Sequence, residues 1–180
     1  MSSFVGLILA AGEGKRFGQP KAGFVFEGER LVDRAVRIMR EAGAEQVYVV
    51  LGAWNEPVAN AITIDNPDWK LGMGSSLRVG LKFLLDNATA QRVVVSLVDL
   101  PGLTASAIAR IGNDSHTITA AIYDDVRGHP VAFNREVWAE VAASASGDSG
   151  ARTYLAEHNH LVKLIDVADV ASIEDMDYPL

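Results

Sequence analysis

The stretch Phe4-Val5-Gly6-Leu7-Ile8-Leu9 decides the fold, and Ala10-Ala11-Gly12 ends it. Its residues are almost all apolar and rich in valine, leucine and isoleucine. Strands of that composition are typical of sheets in which helices cover both faces. We therefore expect this stretch to be the first strand of a parallel sheet.

Outward from this strand, the spacing of apolar residues alternates between that of strands and that of helices. From Arg30 the apolar residues recur at helical intervals until Gly43, which is a plausible helix stop. The further predicted elements are strands at 46–51, 61–64, 92–97, 117–123, 131–133 and 161–166, and helices at 75–85, 105–111, 135–143 and 151–158. Alternation of this kind indicates βαβ units. The predicted fold class is α/β, with three α/β/α layers, a Rossmann-like order and a mostly parallel sheet.

Length and charge restrict the class of protein. With 180 residues, of which 49% are apolar and 22% charged, the chain suits one hydrophobic core, so we expect a single domain over residues 1–180. The formal charge of −7 argues against binding nucleic acid through a general basic face. Any phosphate binding must therefore be local.

The cysteine content and the N-terminal residues are informative about metal ligands and about the cellular compartment. The chain has no cysteine, so metal chemistry must use oxygen or histidine ligands. Met1-Ser2-Ser3-Phe4 carries no basic segment, and no apolar run is long enough to span a bilayer. We expect a cytoplasmic protein without a membrane partner.

The loop after the first strand, Ala10–Lys21, contains three glycines and three cations. Glycines let the backbone approach a ligand and point N–H groups at phosphate oxygens, while Arg16 and Lys21 could neutralise a triphosphate. The spacing excludes a Walker A loop, because no glycine lies five residues before Gly14. It also excludes a dinucleotide fingerprint, whose third glycine would stand at Phe17. An ordinary glycine-rich turn with solvated basic side chains stays open.

One carboxylate, Asp99, follows the most apolar predicted strand. Taken alone, an aspartate there is a helix cap or a turn former. Beside a phosphate-binding loop it suggests a metal ligand, because Mg²⁺ is typically held by one or two carboxylates together with substrate oxygens.

The stretch from Leu7 to Gly18, followed by Pro20-Lys21, resembles the signature L-A-A-G-x-G-x-R-[FM]-G-x-x-K of the MobA-like NTP transferases. Asp99-Leu100-Pro101-Gly102-Leu103 is similar to a second motif of that family. The resemblance implies a nucleotidyltransferase fold in which the loop wraps a triphosphate and Arg16 and Lys21 contact phosphates. It implies that Asp99 binds Mg²⁺. The remaining nucleotide-binding residues that it predicts in this loop are Leu9, Ala10, Ala11, Gly12 and Gly14.

Two more segments resemble motifs of the same family. Trp69–Leu77 is similar to a motif near the base and ribose, which implies nucleotide contacts by Gly74, Ser75 and Ser76. At the C-terminus, Asp175-Met176-Asp177-Tyr178-Pro179-Leu180 partly matches a motif that supplies a second carboxylate. Asp177 is the predicted second metal ligand, with Asp175 as the alternative, and both could equally be solvated residues of the tail.

Gly128-His129-Pro130 and Gly147-Asp148-Ser149-Gly150-Ala151-Arg152 are similar to motifs of one subgroup, the molybdenum cofactor cytidylyltransferases. They imply an acceptor site formed by His129, Asp148 and Arg152. The expected reaction is Mg²⁺-dependent transfer of CMP from CTP to a phosphorylated acceptor of the molybdopterin type, with release of pyrophosphate. A molybdoenzyme or its chaperone would be the protein partner.

Two alternatives to this reaction stay open. One is a related transferase that uses another NTP, with molybdopterin or a sugar, polyol or lactate phosphate as acceptor. Guanylyltransferases of the family typically have glycine where Ala11 stands. The other is a nucleotide-binding module without catalysis, which the incomplete C-terminal motif would allow.

Overall fold

The computed structural model describes residues 3–178. Met1 and Ser2 of the N-terminal segment, and Pro179 and Leu180 of the C-terminal motif, lie outside this range. The strands are β1 Val5–Leu9, β2 Val25–Phe26, β3 Glu29–Arg30, β4 Val47–Leu51, β5 Ile62–Asp65, β6 Arg92–Leu97, β7 Ile118–Tyr123, β8 Val126–Asn134 and β9 Val162–Asp166. The α-helices are α1 Leu31–Glu41, α2 Met73–Asn87, α3 Ala105–Gly112, α4 Trp138–Ser144 and α5 Arg152–Glu157.

A seven-stranded sheet in the order β5-β4-β1-β6-β8-β7-β9 forms the centre of the fold. Strand β1 pairs in parallel with β4 on one side and β6 on the other, and all five of its residues are buried. Its apolar composition on both faces follows from this central position. The predicted α/β fold with a mostly parallel sheet is confirmed.

Strand β8 is antiparallel to both β6 and β7. A tight turn joins β7 to β8, and Asp124 and Asp125 in it have φ of 47° and 71°, as hairpin turns of the mirror-image type require. The sequence predicted only 131–133 as strand, because the first half of β8 is polar and half-exposed. The register shifts between Ala120 and Ala121, so His129 lies in a β-bulge.

Helices cover both faces of the sheet, as the predicted three layers require. Helices α1 and α3 pack on one face through residues such as Val36 and Ile108. Helices α2, α4 and α5 pack on the other through residues such as Leu81, Trp138 and Leu155. Within residues 3–178, no helix combines the length and apolar character that crossing a membrane needs.

Apart from β8, the elements that differ most from the prediction are α2, α4 and a short hairpin. Helix α2 begins at Met73, two residues before the predicted start, after a short 3₁₀ turn at Trp69–Leu71. The segment predicted as one helix at 135–143 begins with a 3₁₀ turn, and α4 starts only at Trp138. The β2–β3 hairpin was not predicted, because strands of two residues are too short to show a period.

Candidate functional site

The glycine-rich loop leaves the carboxyl end of β1 and folds back on itself. Gly14 has φ +64°, and a Cβ there would lie 1.9 Å from the carbonyl oxygen of Gln19, so the turn requires glycine. The N–H of Gly18 donates to the Gly14 carbonyl oxygen at 2.7 Å. Phe17 is buried and packs edge-on against Phe24, with ring centroids 4.8 Å apart. This apolar contact fixes the loop at the carboxyl ends of the strands.

Lys21 and Asp99 form an ion pair where the loops after β1 and β6 meet. Lys21 Nζ lies 2.7 Å from Asp99 Oδ2, and the two side chains are only 15% and 19% exposed. The same ammonium lies 3.6 Å from Asp177 Oδ1, and Arg16 Nη1 lies 3.6 Å from Asp177 Oδ2. Two cations and two carboxylates from distant segments of the sequence therefore cluster beside this ion pair.

Met176 positions the second carboxylate. Its backbone N–H donates to the carbonyl oxygen of Asp99 at 2.9 Å, and its side chain is buried with Phe17 and Leu31. This contact places the next residue, Asp177, beside Lys21 and Arg16.

The donor set fits Mg²⁺ only together with a substrate. Within residues 3–178 there is no group of three or more acidic or histidine side chains that could hold a metal by themselves. Asp99 and Asp177, both within 3.6 Å of the Lys21 ammonium, supply two carboxylates. Mg²⁺ in nucleotide sites is commonly held by that number of carboxylates plus phosphate oxygens and water.

A cavity of about 420 Å³ opens beside this ion pair at the carboxyl ends of β1 and β6. The glycine-rich loop forms one wall, and the segment around the 3₁₀ turn forms the other. Its lining residues are Leu9, Ala10, Ala11, Gly12, Glu13, Gly14, Lys15, Lys21, Ala22, Trp69, Lys70, Gly72, Met73, Ser76, Leu97, Val98, Asp99 and Asp148. The cavity lies outside the carboxyl ends of parallel strands, the usual place for ligands in such sheets.

A buried polar network fixes the second wall. Asn66 Nδ2 lies 3.0 Å from both Ser75 Oγ and Ser76 Oγ, and all three side chains are buried. Ser75 Oγ also contacts the carbonyl oxygen of Gly72 at 2.8 Å, so this hydroxyl is engaged inside the wall. The N–H of Gly74 donates to the carbonyl oxygen of Gly147 at 2.7 Å. The start of α2 and the 147–152 segment are thus joined.

A second, smaller cavity of about 160 Å³ adjoins the first, and Leu9 and Met73 line both. Its interior is apolar, and its polar groups are three side chains from β8 and α5 together with Ser149. The lining residues are Leu9, Met73, Leu77, Val95, Arg127, Gly128, His129, Val131, Phe133, Ser149, Gly150, Ala151, Arg152 and Leu155.

His129 lines the second cavity. Burial lowers the pKa of its imidazole to about 4, although the nearby charge of Asp99 acts in the opposite direction. The ring is therefore neutral at neutral pH and can donate one hydrogen bond and accept another. The phenol of Tyr123, whose pKa is raised to about 12 by burial, donates to the carbonyl oxygen of His129 at 2.6 Å.

Comparison with protein families decides the assignment. The model of the MobA-like NTP transferase domain matches residues 6–162, which include the glycine-rich loop, Asp99 and both cavities. The chain belongs to the MobA-like NTP transferases. The activity of that family is nucleotidyl transfer from an NTP to a phosphorylated acceptor. The chain is therefore a nucleotidyltransferase.

Two similar proteins and one similar crystal structure illustrate the range of relatives of this chain. The chain is 36% identical to a nicotine blue oxidoreductase of Paenarthrobacter nicotinovorans, over 96% of this chain and 91% of that protein. It is 33% identical to a probable molybdenum cofactor guanylyltransferase of Opitutus terrae, over 58% of this chain and about half, 52%, of that one. The crystal structure of a homologue of Mycobacterium tuberculosis rv0371c, from Mycobacterium sp. strain JC1, superposes with a TM-score of 0.81 at 29% identity, covering 97% and 90% of the two chains.

The predicted site residues lie in four different parts of this MobA-like structure. The first cavity is lined by Leu9, Ala10, Ala11, Gly12, Gly14, Lys21, Ser76 and Asp99, and also by Asp148, which had been assigned to the acceptor. Arg16 lies outside this cavity, beside Asp177. Gly74 and Ser75 lie behind the wall rather than on it. His129 and Arg152 line the second cavity.

Sequence reasoning missed several residues that line the two cavities of this MobA-like domain. Lys15 stands at a variable position of the loop signature, and Trp69, Lys70 and Met73 stand in the segment Trp69–Leu77, from which only Gly74, Ser75 and Ser76 were predicted as nucleotide contacts. Arg127 directly precedes Gly128-His129-Pro130 and lines the second cavity, and its place beside a recognised motif was the available signal.

Proposed function

We propose that this MobA-like enzyme transfers CMP from CTP to a phosphorylated acceptor such as molybdopterin, in a Mg²⁺-dependent reaction that releases pyrophosphate. One observation carries the proposal. The partly buried Lys21–Asp99 pair, with Nζ and Oδ2 2.7 Å apart, lines the same cavity as the glycine-rich loop. A cation, a carboxylate and free backbone N–H groups are what a metal-bound triphosphate needs.

The glycine-rich loop and its cations would hold the triphosphate. Gly12, Glu13, Gly14 and Lys21 all line the cavity, so backbone N–H groups and an ammonium would be available to phosphate oxygens there. Arg16 is 76% exposed, so it can turn from Asp177 toward phosphate oxygens at small cost. Asp99 and Asp177 would hold Mg²⁺, which when bound neutralises charge on the triphosphate.

No side chain of this site needs to act as a covalent nucleophile. An oxygen of the acceptor phosphate attacks the α-phosphorus, the bond to the bridging oxygen of the β-phosphate breaks, and pyrophosphate leaves. Lys21 and Arg16 stabilise the charge that builds up on the phosphate oxygens, and the loop keeps the reacting groups in line. Removing either cation should therefore weaken NTP binding and slow the chemical step.

The choice of CTP is supported by three sequence features. Ala11 stands where guanylyltransferases of the family typically have glycine, and it lines the first cavity. The other two features are Gly128-His129-Pro130 and the segment 147–152, which accompany the cytidylyltransferase subgroup. Relatives named as guanylyltransferases make GTP the competing nucleotide, with matches such as 33% identity over 58% of this chain.

A direct test measures pyrophosphate release from each of the four NTPs with Mg²⁺ and a phosphorylated acceptor. We expect turnover to be fastest with CTP, and Asp99→Asn to reduce it by at least about 100-fold with the fold unchanged by circular dichroism. Equal turnover with GTP would overturn the choice of nucleotide. Full activity of Asp99→Asn would remove Asp99 from the metal site.

A redox reaction is the second candidate, because the relative that is 36% identical over 96% of this chain is named an oxidoreductase. The geometry favours it less. Strand β4 ends at Leu51 and is followed by Gly52, without the acidic residue of a dinucleotide fingerprint. Oxidation of NADPH by the purified protein in the presence of an electron-accepting dye, without any effect of NTPs on its stability, would favour this candidate over nucleotidyl transfer.

A further inference from the structure

Every cation of the glycine-rich loop lies within 3.6 Å of a carboxylate. The pairs are Lys15 with Glu13 at 3.2 Å, Arg16 with Asp177 at 3.6 Å and Lys21 with Asp99 at 2.7 Å. Three positive charges thus face three negative ones, in a chain whose formal charge is −7. The loop therefore has no surplus positive charge with which to attract a triphosphate that carries no metal ion.

The two carboxylates beside Lys21 are held differently. The side chain of Asp99 is 19% exposed, and the carbonyl oxygen of the same residue accepts from the N–H of Met176 at 2.9 Å. The side chain of Asp177 is 39% exposed and lies 3.6 Å from both Lys21 Nζ and Arg16 Nη1. Contacts of that length are ion pairs rather than short hydrogen bonds, and exposed ion pairs contribute little to stability. Asp177 is therefore the carboxylate whose side chain can move.

A recess of about 200 Å³ lies between the loop and Asp177. Its lining residues are Gly14, Lys15, Arg16, Phe17, Lys21 and Asp177, and three of them also line the first cavity. A phosphate oxygen that contacts Lys21 Nζ at about 2.8 Å would lie within about 6.5 Å of Asp177 Oδ1, because Oδ1 is 3.6 Å from that nitrogen. This separation is shorter than the screening length of about 8 Å at physiological ionic strength, so the carboxylate repels the phosphate.

A further cation of the first cavity stands on the opposite wall. The ammonium of Lys70 lies 5.4 Å from the ring centroid of Trp69. It belongs to the segment around the 3₁₀ turn and does not line the recess beside Asp177. Phosphate groups on the side of the loop therefore depend on cations that carboxylates already occupy.

We infer that Asp177 makes the phosphate site selective for a metal-bound triphosphate, because its carboxylate excludes a triphosphate that carries no metal ion. The inference rests on the proposed function, and it gives Asp177 a role before any metal is bound. In the free protein this carboxylate occupies Arg16 and Lys21, the cations that phosphate oxygens need.

The same carboxylate acts in opposite directions on the two forms of the ligand. A triphosphate without a metal ion meets an uncompensated negative charge when it takes over Arg16 and Lys21. A triphosphate that brings Mg²⁺ offers Asp177 a ligand position, so that repulsion is replaced by attraction. Both cations are then released to phosphate oxygens.

Titrations with and without metal test this selectivity. CTP and inorganic tripolyphosphate would each be titrated calorimetrically, in excess Mg²⁺ and in EDTA, into the wild type and into Asp177→Asn, which keeps the size of the side chain and removes its charge. In EDTA we expect the variant to bind both probes at least about fivefold more tightly than the wild type does. In Mg²⁺ it should bind them no more tightly. Binding in EDTA that is unchanged, weaker or undetectable in both proteins would overturn the inference.

The matched control is Asp175→Asn, which removes the same charge at an exposed position two residues earlier. It should leave the affinities in EDTA within about twofold of those of the wild type. An increase as large as that of Asp177→Asn would overturn the inference, because the effect would then belong to the net charge of the protein. Both variants should keep the circular dichroism spectrum of the wild type.

Binding of CTP to the wild type in Mg²⁺ separates the two proposals. If the wild type binds CTP and Asp177→Asn gains no affinity in EDTA, only the inference about Asp177 fails. If the wild type does not bind CTP in excess Mg²⁺, the proposed function fails, whatever the variant does.

Discussion

Replacing His129 with glutamine should make the stability of the protein less sensitive to pH between 7 and 5. Burial lowers the pKa of this imidazole from 6.5 to about 4, so over this window the unfolded chain binds a proton that the folded protein does not. A group of this kind stabilises the fold above its unfolded pKa, and the stability is lost as the pH falls toward the folded pKa. Between pH 7 and pH 5 the loss is about 2 kcal/mol.

The assay is thermal unfolding at pH 7, 6 and 5. For a chain of this length a loss of about 2 kcal/mol lowers the melting temperature by roughly 4–8 °C. Glutamine cannot titrate, so His129→Gln should lack this part of the decrease, whatever constant offset the substitution adds. His160→Gln, at an exposed position, is the control and should keep the wild-type dependence. A His129→Gln profile parallel to that of the wild type would refute the reasoning.

Three further substitutions, with Gly12→Ala as the control for the first, test contacts within the fold. Gly14→Ala should lower the melting temperature and abolish NTP binding, because its Cβ would lie 1.9 Å from a backbone oxygen; at Gly12 a Cβ meets nothing within 4 Å, so Gly12→Ala should leave the melting temperature unchanged. Arg92→Met should cost about 3–5 kcal/mol in urea unfolding, since the buried guanidinium donates to acceptors including Gly112 O at 3.0 Å. Burial would raise the pKa of Asp114, but hydrogen bonds led by that from Lys163 hold it well below its usual range, so Asp114→Asn should destabilise at pH 7 by about 1–3 kcal/mol and progressively less below about pH 4.

Much of the fold could be predicted because the central strands carry a strong local signal. Strands β1, β4 and β6 are short runs in which most residues are apolar and buried, and their bounds were predicted to within a residue. Strand β8 was predicted only in part, since Arg127 and Gly128, which pair with β7, do not show the apolar character by which a strand is recognised in sequence.

The candidate site was predictable in composition but not in arrangement. Motif residues at Lys21 and Asp99 were identified, and the structure brings them to 2.7 Å of each other because β1 and β6 are neighbours and parallel. The contact of Asp177 with Lys21 depends on the burial of the Met176 side chain. Met176 lies 155 residues further along the chain than Lys21, so sequence spacing could not reveal this contact. Asp148 was assigned to the acceptor, yet it reaches the first cavity because Gly147 caps the start of α2.

Isothermal titration of CTP in the presence of Mg²⁺ is the most direct test of the central claim, that the glycine-rich loop, Lys21 and Asp99 form a triphosphate site. The account predicts binding to the wild type that is weakened at least about tenfold by Lys21→Met, and for Asp99→Asn a loss of most of the dependence on Mg²⁺. The matched control, Lys82→Met on α2, should bind as the wild type does. Equal affinity of all three variants for CTP, with or without Mg²⁺, would contradict the account.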